Sequence, residues 1–209
     1  MSDQQPIRLL SADDHALLRE GIAAVINGQP DMTMIAQASS GREAIQLFRE
    51  HRPDVTLMDL RMPDISGVDA LSAILSEFPE ARVVMLTTFE GDVEIQRSLA
   101  AGARGYLLKN MPPGDLVDAV RQIHLGKKRI PHEVAAQLAE HVADERLTER
   151  EIDVLRCVAG GNRNREIATL LSISEETVKV HVKHIMDKLG ATDRTSAVAI
   201  AVRRGIIEL

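Results

Sequence analysis

The sequence contains one cysteine, Cys157, among its 209 residues. A single cysteine cannot form an internal disulfide, and with no neighbouring histidine or cysteine it offers no zinc-binding set, so we interpret it as core packing. The N-terminus, MSDQQPIRLL, lacks the basic and apolar regions of a signal peptide. No run approaches the roughly 18 apolar residues that a membrane span needs. We therefore expect a cytoplasmic protein that does not associate with membranes.

Charge is divided unevenly along the chain. Residues 1–145 carry 14 Lys and Arg against 22 Asp and Glu, a net charge of −8, whereas residues 146–209 carry 11 against 9, a net charge of +2. An acidic first part and a mildly basic second part indicate two domains with separate tasks. The length agrees with this division because domains cluster near about 100 to 150 residues.

Short apolar runs alternate with longer amphipathic stretches through the first 125 residues. The runs are too apolar to expose one face to water, which is typical of parallel strands that helices cover on both sides. The pattern therefore predicts a doubly wound α/β domain with a five-stranded parallel sheet. The predicted strands are 7–12, 32–38, 54–59, 82–87 and 105–108, and the predicted helices lie near 14–26, 41–51, 67–77, 92–101 and 113–125.

The pattern changes after residue 126. Residues 127–145 begin with three basic side chains, are interrupted by Pro131 and hold one marginal helical pattern at 132–143, so we predict a linker. The remainder shows helical spacing and no strand pattern, which predicts an all-α domain of four helices. These helices lie near 148–159, 164–171, 175–189 and 193–204, and the predicted domain boundaries are 1–126, 127–145 and 146–209.

Polar side chains gather at the carboxyl ends of the predicted strands, where parallel α/β sheets bind their ligands. Three neighbouring carboxylates repel one another, and a hard divalent cation such as Mg²⁺, which prefers oxygen ligands, would relieve that repulsion. A carboxylate beside a metal ion, a lysine and a hydroxyl can act as a nucleophile in phosphoryl transfer. Helix caps and turns also favour aspartate, but capping does not explain a lysine and a threonine at two further strand ends. The residues concerned are Asp13, Asp14, Asp59, Thr87, Thr88 and Lys109.

Four segments resemble the receiver domain of two-component response regulators, whose fold is flavodoxin-like: ADDHALLREG, DVTLMDLRMPDISG, VVMLTT and GARGYLLKN. The resemblance implies that Asp59 is the phosphoacceptor. It implies a Mg²⁺ site formed by Asp13, Asp14, Asp59 and the backbone carbonyl of Arg61.

The same resemblance implies that Thr87 is the switch hydroxyl, that Tyr106 is the aromatic residue that moves with it, and that Lys109 is their cationic partner. Many receivers have proline after this lysine, whereas this chain has Asn110, so the geometry of that loop stays open. A metal-dependent phosphatase or phosphotransferase of the haloacid dehalogenase kind also uses a strand-end aspartate. Such an enzyme needs a second acid two residues further on, where this chain has Arg61.

Residues 164–190 contain two helical patterns joined at Ser-Ile-Ser. A short helix, a tight turn and a second helix with a basic face form the layout of a helix-turn-helix, whose second helix enters the major groove of DNA. By spacing alone, a solvated lysine face on an ordinary helical bundle is an equal alternative. The apolar side of the second helix carries Val178, Val182, Ile185 and Leu189, and the opposite side carries Lys179, His181, Lys183 and His184.

Residues 147–207, from LTEREIDVLRC to AVRRGII, resemble the LuxR-type four-helix DNA-binding domain of NarL/FixJ response regulators. The resemblance implies that Lys179, Val180 and Lys183 face the groove, and it implies phosphate contacts from Thr177, Asn164, Lys188 and Arg194. The last helix, with Ala197, Val198, Ala201 and Val202, either dimerises or packs on the bundle.

Together the two resemblances imply a phosphorylation-controlled transcription regulator. On these resemblances we expect a sensor histidine kinase to phosphorylate Asp59, and the protein then to form a homodimer on double-stranded promoter DNA. The implied chemistry is limited to self-catalysed phosphotransfer and dephosphorylation, so we do not expect an enzyme. A phosphorylation-independent DNA binder with a decayed receiver is disfavoured because every expected active-site residue is present.

Overall fold

The computed structural model describes residues 5–88, 91–132, 134–136 and 145–207. These residues form two units, an N-terminal α/β unit and a C-terminal helical unit. The marginal helix predicted at 132–143 lies mostly outside the described residues. Among the helices that are described, none combines the length and the apolar character needed to cross a membrane.

Strands and helices alternate through the N-terminal unit. All five strands are parallel and follow the order β2-β1-β3-β4-β5. The predicted doubly wound fold is confirmed, with element boundaries within two residues of those expected. The elements are β1 (Ile7–Ala12), α1 (Ala16–Asn27), β2 (Met32–Ala38), α2 (Gly41–His51), β3 (Val55–Asp59), α3 (Gly67–Glu77), β4 (Val83–Thr87), α4 (Asp92–Ala100), β5 (Gly105–Leu108) and α5 (Pro113–His124).

The central strands β3 and β4 are buried along their whole length. This burial explains why their sequences are continuous apolar runs: both sides of each strand face helices, and neither side faces water. On one side of the sheet, the strands pack against α1 and α5. The core there includes Leu9, Leu57, Val84, Leu107, Ile22, Ile26, Val120 and Ile123.

Two buried hydroxyls lie among the apolar residues of the sheet. Ser11 on β1 and Thr56 on β3 are both fully buried, and no described residue forms a hydrogen bond with either hydroxyl oxygen. A buried hydroxyl without a partner loses its hydrogen bonds to water and gains none in return. We infer that both hydroxyls lower the stability of the sheet.

The segment after α5 extends the sheet beyond β5. The backbone N–H of Tyr106 donates to the carbonyl of Arg129 at 2.8 Å, and the N–H of Arg129 donates to the carbonyl of Arg104 at 3.2 Å. Gly105 and Arg129 form a parallel bridge. A Cβ at position 105 would lie 2.8 Å from the Arg129 carbonyl oxygen, so glycine permits this close approach.

The described part of the C-terminal unit contains four helices: α6 (Glu149–Ala159), α7 (Asn164–Leu170), α8 (Glu175–Leu189) and α9 (Arg194–Arg203). Side chains from all four helices meet in one apolar core. Ala197 and Ala201 of α9 are buried in that core, so these two residues pack on the bundle. The other buried residues of the core are Val154, Leu155, Val158, Ile167, Val178, Ile185 and Ile207.

Candidate functional site

The carboxyl ends of four strands bring the predicted polar residues to one edge of the sheet. Asp59 ends β3 and pairs in register with Leu86, one residue before Thr87 at the end of β4. The backbone N–H of Lys109, just after β5, donates to the carbonyl of Thr87 at 2.6 Å. Asp13 follows β1, and Asp13, Asp59 and Thr87 are all buried. The parallel register thus explains why residues so far apart in sequence meet here.

Lys109 joins the two buried carboxylates of this edge. Its Nζ lies 2.9 Å from Asp13 Oδ2 and 2.7 Å from Asp59 Oδ2. Burial by itself lowers the pKa of the Lys109 ammonium, but hydrogen bonds and opposite charge from Asp59 and Asp13 outweigh burial and raise the net pKa. Lys109 therefore keeps its positive charge inside the site.

Asp59 is a carboxylate with little access to water. Burial raises the pKa of Asp59 above its usual value, and the neighbouring charge of Asp13 raises it further. The hydrogen bond and charge of Lys109, together with a hydrogen bond from the Arg61 backbone, offset only part of that rise. When ionised, such a carboxylate is poorly solvated and is fixed in position by Lys109, as a nucleophile requires.

Asp14 and His15 complete the acidic cluster at the start of α1. His15 Nδ1 lies 2.8 Å from Asp14 Oδ1 and 3.1 Å from Asp13 Oδ1. Candidate ligand atoms of Asp13, Asp14, His15 and Asp59 all lie within 4.8 Å of one another. Asp13 Oδ2 is buried and forms an ion pair with Lys109. Carboxylate oxygens gathered this closely fit a hard divalent cation.

His15 was not among the residues predicted for this site. His15 directly follows the two aspartates, which was the available indication. The Asp64 carboxylate accepts the backbone N–H groups of Gly41 at 3.1 Å and Arg42 at 3.2 Å, which ties the loop after β3 to the start of α2. That loop carries Arg61. On the opposite side of the site, the Lys109–Asn110 bond is trans, like every other described peptide bond.

The turn between α7 and α8 fixes where the second helix begins. Ser172 adopts a left-handed backbone conformation with φ 55°, and the Ser174 side chain then accepts the N–H of Thr177 at 3.0 Å as the N-cap of α8. Val178 and Ile185 of α8 are buried in the bundle. The other side of the helix is exposed and carries Lys179, Val180 and Lys183.

Three of the four predicted phosphate-contacting residues lie in the first turns of their helices. Thr177 is half-buried, with its hydroxyl 2.7 Å from that of Ser174. Asn164 is the half-buried first residue of α7. Arg194 is exposed at the start of α9 and donates to the carbonyl of Asn162 at 2.9 Å.

Lys188, the fourth predicted phosphate contact, forms an ion pair within the helical bundle. Its Nζ lies 2.8 Å from the carboxylate of Glu151 and 3.2 Å from the carbonyl of Arg146. The Lys188 side chain is 17% exposed and that of Glu151 only 4%. The Lys188 ammonium therefore neutralises a buried acid of α6, and its contact with phosphate stays a prediction.

Comparisons with known proteins agree with both units. Residues 9–121 match the response regulator receiver domain, and residues 145–201 match bacterial regulatory proteins of the luxR family. The chain is 41% identical over 218 residues to the uncharacterized transcriptional regulatory protein YxjL of Bacillus subtilis (strain 168), with 99% of this chain and 100% of YxjL covered. The chain belongs to the LuxR-type response regulators.

Other response regulators are also similar to this chain. VraR of Staphylococcus aureus (strain NCTC 8325 / PS 47) is 39% identical over 207 residues, with 97% of this chain and 99% of VraR covered. The crystal structure of ChrA, from a heme-sensing two-component system, is 35% identical with a TM-score of 0.59 and covers 97% of this chain and 99% of its own. RcsB of Salmonella enterica serovar Typhimurium, bound to promoter P1flhDC with phosphomimetic BeF3-, is 26% identical with a TM-score of 0.74, covering 95% and 99%.

The family explains the division of the molecule into two units. This response regulator is a DNA-binding transcription regulator of a two-component system. The acidic edge of the sheet lies within the residues that match the receiver domain, and the exposed face of α8 lies within those that match the luxR family. Both resemblances found in the sequence are therefore confirmed at the level of the family.

Proposed function

We propose that a sensor histidine kinase phosphorylates this response regulator on Asp59, and that phosphorylation controls homodimerisation on promoter DNA. The observation that carries the proposal is the setting of Asp59: the residue ends β3, is 4% exposed, and its carboxylate lies 2.7 Å from the Lys109 ammonium. Asp13 and Asp14 gather beside it. The proposed domains are a receiver at 1–126, a linker at 127–145 and a DNA-binding domain at 146–209, acting in the cytoplasm.

Phosphoryl transfer forms a P–O bond to an Asp59 oxygen while the P–N bond of the kinase's phosphohistidine breaks. The electron pair of the broken bond stays on the histidine nitrogen. The Lys109 ammonium neutralises charge on the transferred oxygens, and the Thr87 hydroxyl donates a hydrogen bond to one of them. Asp13, Asp14, Asp59 and the Arg61 carbonyl would hold Mg²⁺, which when bound supplies further positive charge beside the phosphoryl group.

The switch would run through Thr87 and Tyr106. Thr87 ends β4, and Tyr106 lies on the neighbouring strand β5, fully buried and paired in register with Met85. A new dianion on Asp59 draws the Thr87 hydroxyl toward it, and Tyr106 then repacks against the changed strand end. Such a local charge change alters the population of two packing states of the receiver.

Transfer to Asp59 is tested by labelling with acetyl phosphate and Mg²⁺. Asp59→Asn should abolish incorporation, measured by phosphate-affinity electrophoresis, and chelation of Mg²⁺ should abolish it in the wild type. Asp115→Asn is the matched control, since Asp115 is an exposed acid at the start of α5. Full labelling of Asp59→Asn would show that another residue is the nucleophile.

DNA contacts are proposed for the exposed face of α8. Lys179, Val180 and Lys183 would face the major groove, while Thr177, Asn164, Lys188 and Arg194 would contact phosphates. The RcsB–DNA complex, at 26% identity and a TM-score of 0.71 over 94% of this chain and 98% of that chain, supports this proposal.

The contacts on α8 are tested by binding to promoter DNA at a fixed salt concentration. Lys179→Ala and Lys183→Ala should each weaken binding by about 1 to 3 kcal/mol where the lysine reads a base. Lys128→Ala removes an exposed lysine outside the helical unit and should bind as the wild type does. Unchanged affinity in both α8 variants would remove this face from the interface.

A further inference from the structure

The exposed face of α8 carries an acid, Glu176, near the start of the helix. Glu176 and the buried Ile185 are nine residues apart, which is two and a half turns of an α-helix. Glu176 therefore projects directly away from the core, whereas Ile185 is 1% exposed and projects into it. Lys179, Val180 and Lys183 follow Glu176 at three, four and seven residues, so the four side chains share one stripe.

Glu176 can leave its ion pair with Lys179 at little cost in free energy. Its carboxylate lies 3.2 Å from the ammonium of Lys179, and the two side chains are 79% and 54% exposed. Ion pairs this open to water contribute little stability, at most about 1 kcal/mol. Approaching DNA can separate the pair at small cost, which leaves a carboxylate and an ammonium side by side on the stripe.

The position of Glu176 along the helix also matters. It is the second residue of α8, and recognition helices contact base edges mainly through their N-terminal residues. The Ser174 cap fixes the start of the helix and therefore the direction in which Glu176 projects. An acid at this position contacts the base edges in the groove, unless its repulsion by the DNA phosphates prevents the helix from entering.

The hydrogen-bonding groups that each base presents in the major groove determine which base can bind such an acid. Guanine and thymine present acceptor oxygens that repel a carboxylate, and adenine places its N7 acceptor beside its N6 amino group. Cytosine presents its N4 amino group as a donor with no acceptor beside it, and glutamate is a known partner of that group. We propose that Glu176 is a specificity-determining residue that selects cytosine in the operator. This inference rests on the proposed DNA-contacting face of α8.

The first turn of α8 also offers a simpler role for Glu176. Acids near a helix N-terminus interact favourably with the helix dipole, and Glu175 and Glu176 both lie in that turn. Glu175 has the same charge and nearly the same axial position, but it projects about 100° away around the helix. Glu175 is therefore a matched control for both the dipole and the net charge.

The test is selection of binding sites from randomised DNA with the full-length protein, treated with acetyl phosphate, at one salt concentration. In each half-site the wild type should prefer cytosine at one position adjoining the bases read by Lys179 and Lys183. Glu176→Ala should reduce that preference about tenfold. Glu176→Gln should shift it toward adenine, which glutamine reads, and Glu175→Gln should select the wild-type sequence.

Two outcomes would overturn the inference. In the first, both Glu176 variants bind all sequences more tightly and keep the wild-type preference, which is the result of removing a repulsive charge. In the second, Glu175→Gln changes the selected sequence in the same way. Failure of the proposed interface is distinguishable, because Lys179→Ala and Lys183→Ala would then bind DNA as the wild type does.

Discussion

Gly67 lies against the backbone of Asp59: a Cβ at position 67 would be 1.9 Å from the Asp59 carbonyl oxygen. An alanine there must push away the end of β3, because neither backbone can rotate aside. We expect Gly67→Ala to lower the free energy of unfolding by about 3 kcal/mol and to slow phosphorylation by displacing the Asp59 carboxylate. Chemical denaturation and acetyl-phosphate labelling measure the two effects.

Gly114→Ala is the control for this substitution. A Cβ at position 114 would have no heavy atom within 4 Å, and the residue lies in the first turn of α5. Alanine should therefore be neutral or stabilise the fold by up to about 1 kcal/mol. Equal losses in the two variants would mean that the contact with Asp59 is not the cause.

A substitution of Thr56 is expected to stabilise the protein, in contrast to Gly67→Ala. Valine has nearly the shape of threonine and replaces the buried, unpartnered hydroxyl with a methyl group. Thr56→Val should raise the free energy of unfolding by about 1 kcal/mol, since the penalty for the unsatisfied hydroxyl is removed. A lower free energy in denaturant melts would indicate that this hydroxyl forms a hydrogen bond after all.

The ion pair between Lys188 and Glu151 predicts a dependence on pH. Burial raises the pKa of the Glu151 carboxyl, but hydrogen bonds from Lys188 and Thr148 outweigh burial and hold the net pKa below the usual 4.5. Because the unfolded state then binds a proton more readily than the folded state, the stabilisation is complete above pH about 4.5 and is lost as pH falls through the lowered pKa. Calorimetry of Glu151→Gln should show a flatter decline of stability in this acidic range.

Removing the lysine tests the same ion pair at neutral pH. Lys188→Ala leaves the Glu151 carboxylate buried without its ammonium, which should cost about 2 to 3 kcal/mol of unfolding free energy. Lys183→Ala, an exposed change on the same helix, should stay within about 0.5 kcal/mol of the wild type. Similar unfolding free energies of the two variants would indicate that water replaces the Lys188 ammonium beside the Glu151 carboxylate without a loss of stability.

The bridge between β5 and the segment after α5 can be opened by one methyl group. Gly105→Ala places a Cβ 2.8 Å from the carbonyl oxygen of Arg129, which accepts the N–H of Tyr106. We expect the Tyr106 amide to exchange with deuterium faster in the variant, while amides of β1 are unchanged. Unaltered exchange at Tyr106 would mean that the segment moves aside without losing the hydrogen bond.

The sheet and its acidic edge could be predicted from sequence because both follow from local pattern. An apolar run such as Val55–Met58 that ends on an acid defines a buried strand and also the position of its last side chain. Lys188 could not be predicted in the same way, because its partner Glu151 is 37 residues away on another helix. The contact between His15 and Asp14 likewise depends on the conformation of the turn before α1, which residue spacing does not specify.

Tyr106 is the only tyrosine of a chain that contains no tryptophan, and its side chain is fully buried on β5. The tyrosine fluorescence of the whole molecule therefore originates from one ring, next to the strand that ends at Thr87. Emission intensity and quenching can follow the receiver without an attached dye, and they respond to the surroundings of that ring alone. The effect of a metal ion, a phosphodonor or a substitution on the surroundings of Tyr106, the residue proposed to move, can thus be followed by fluorescence.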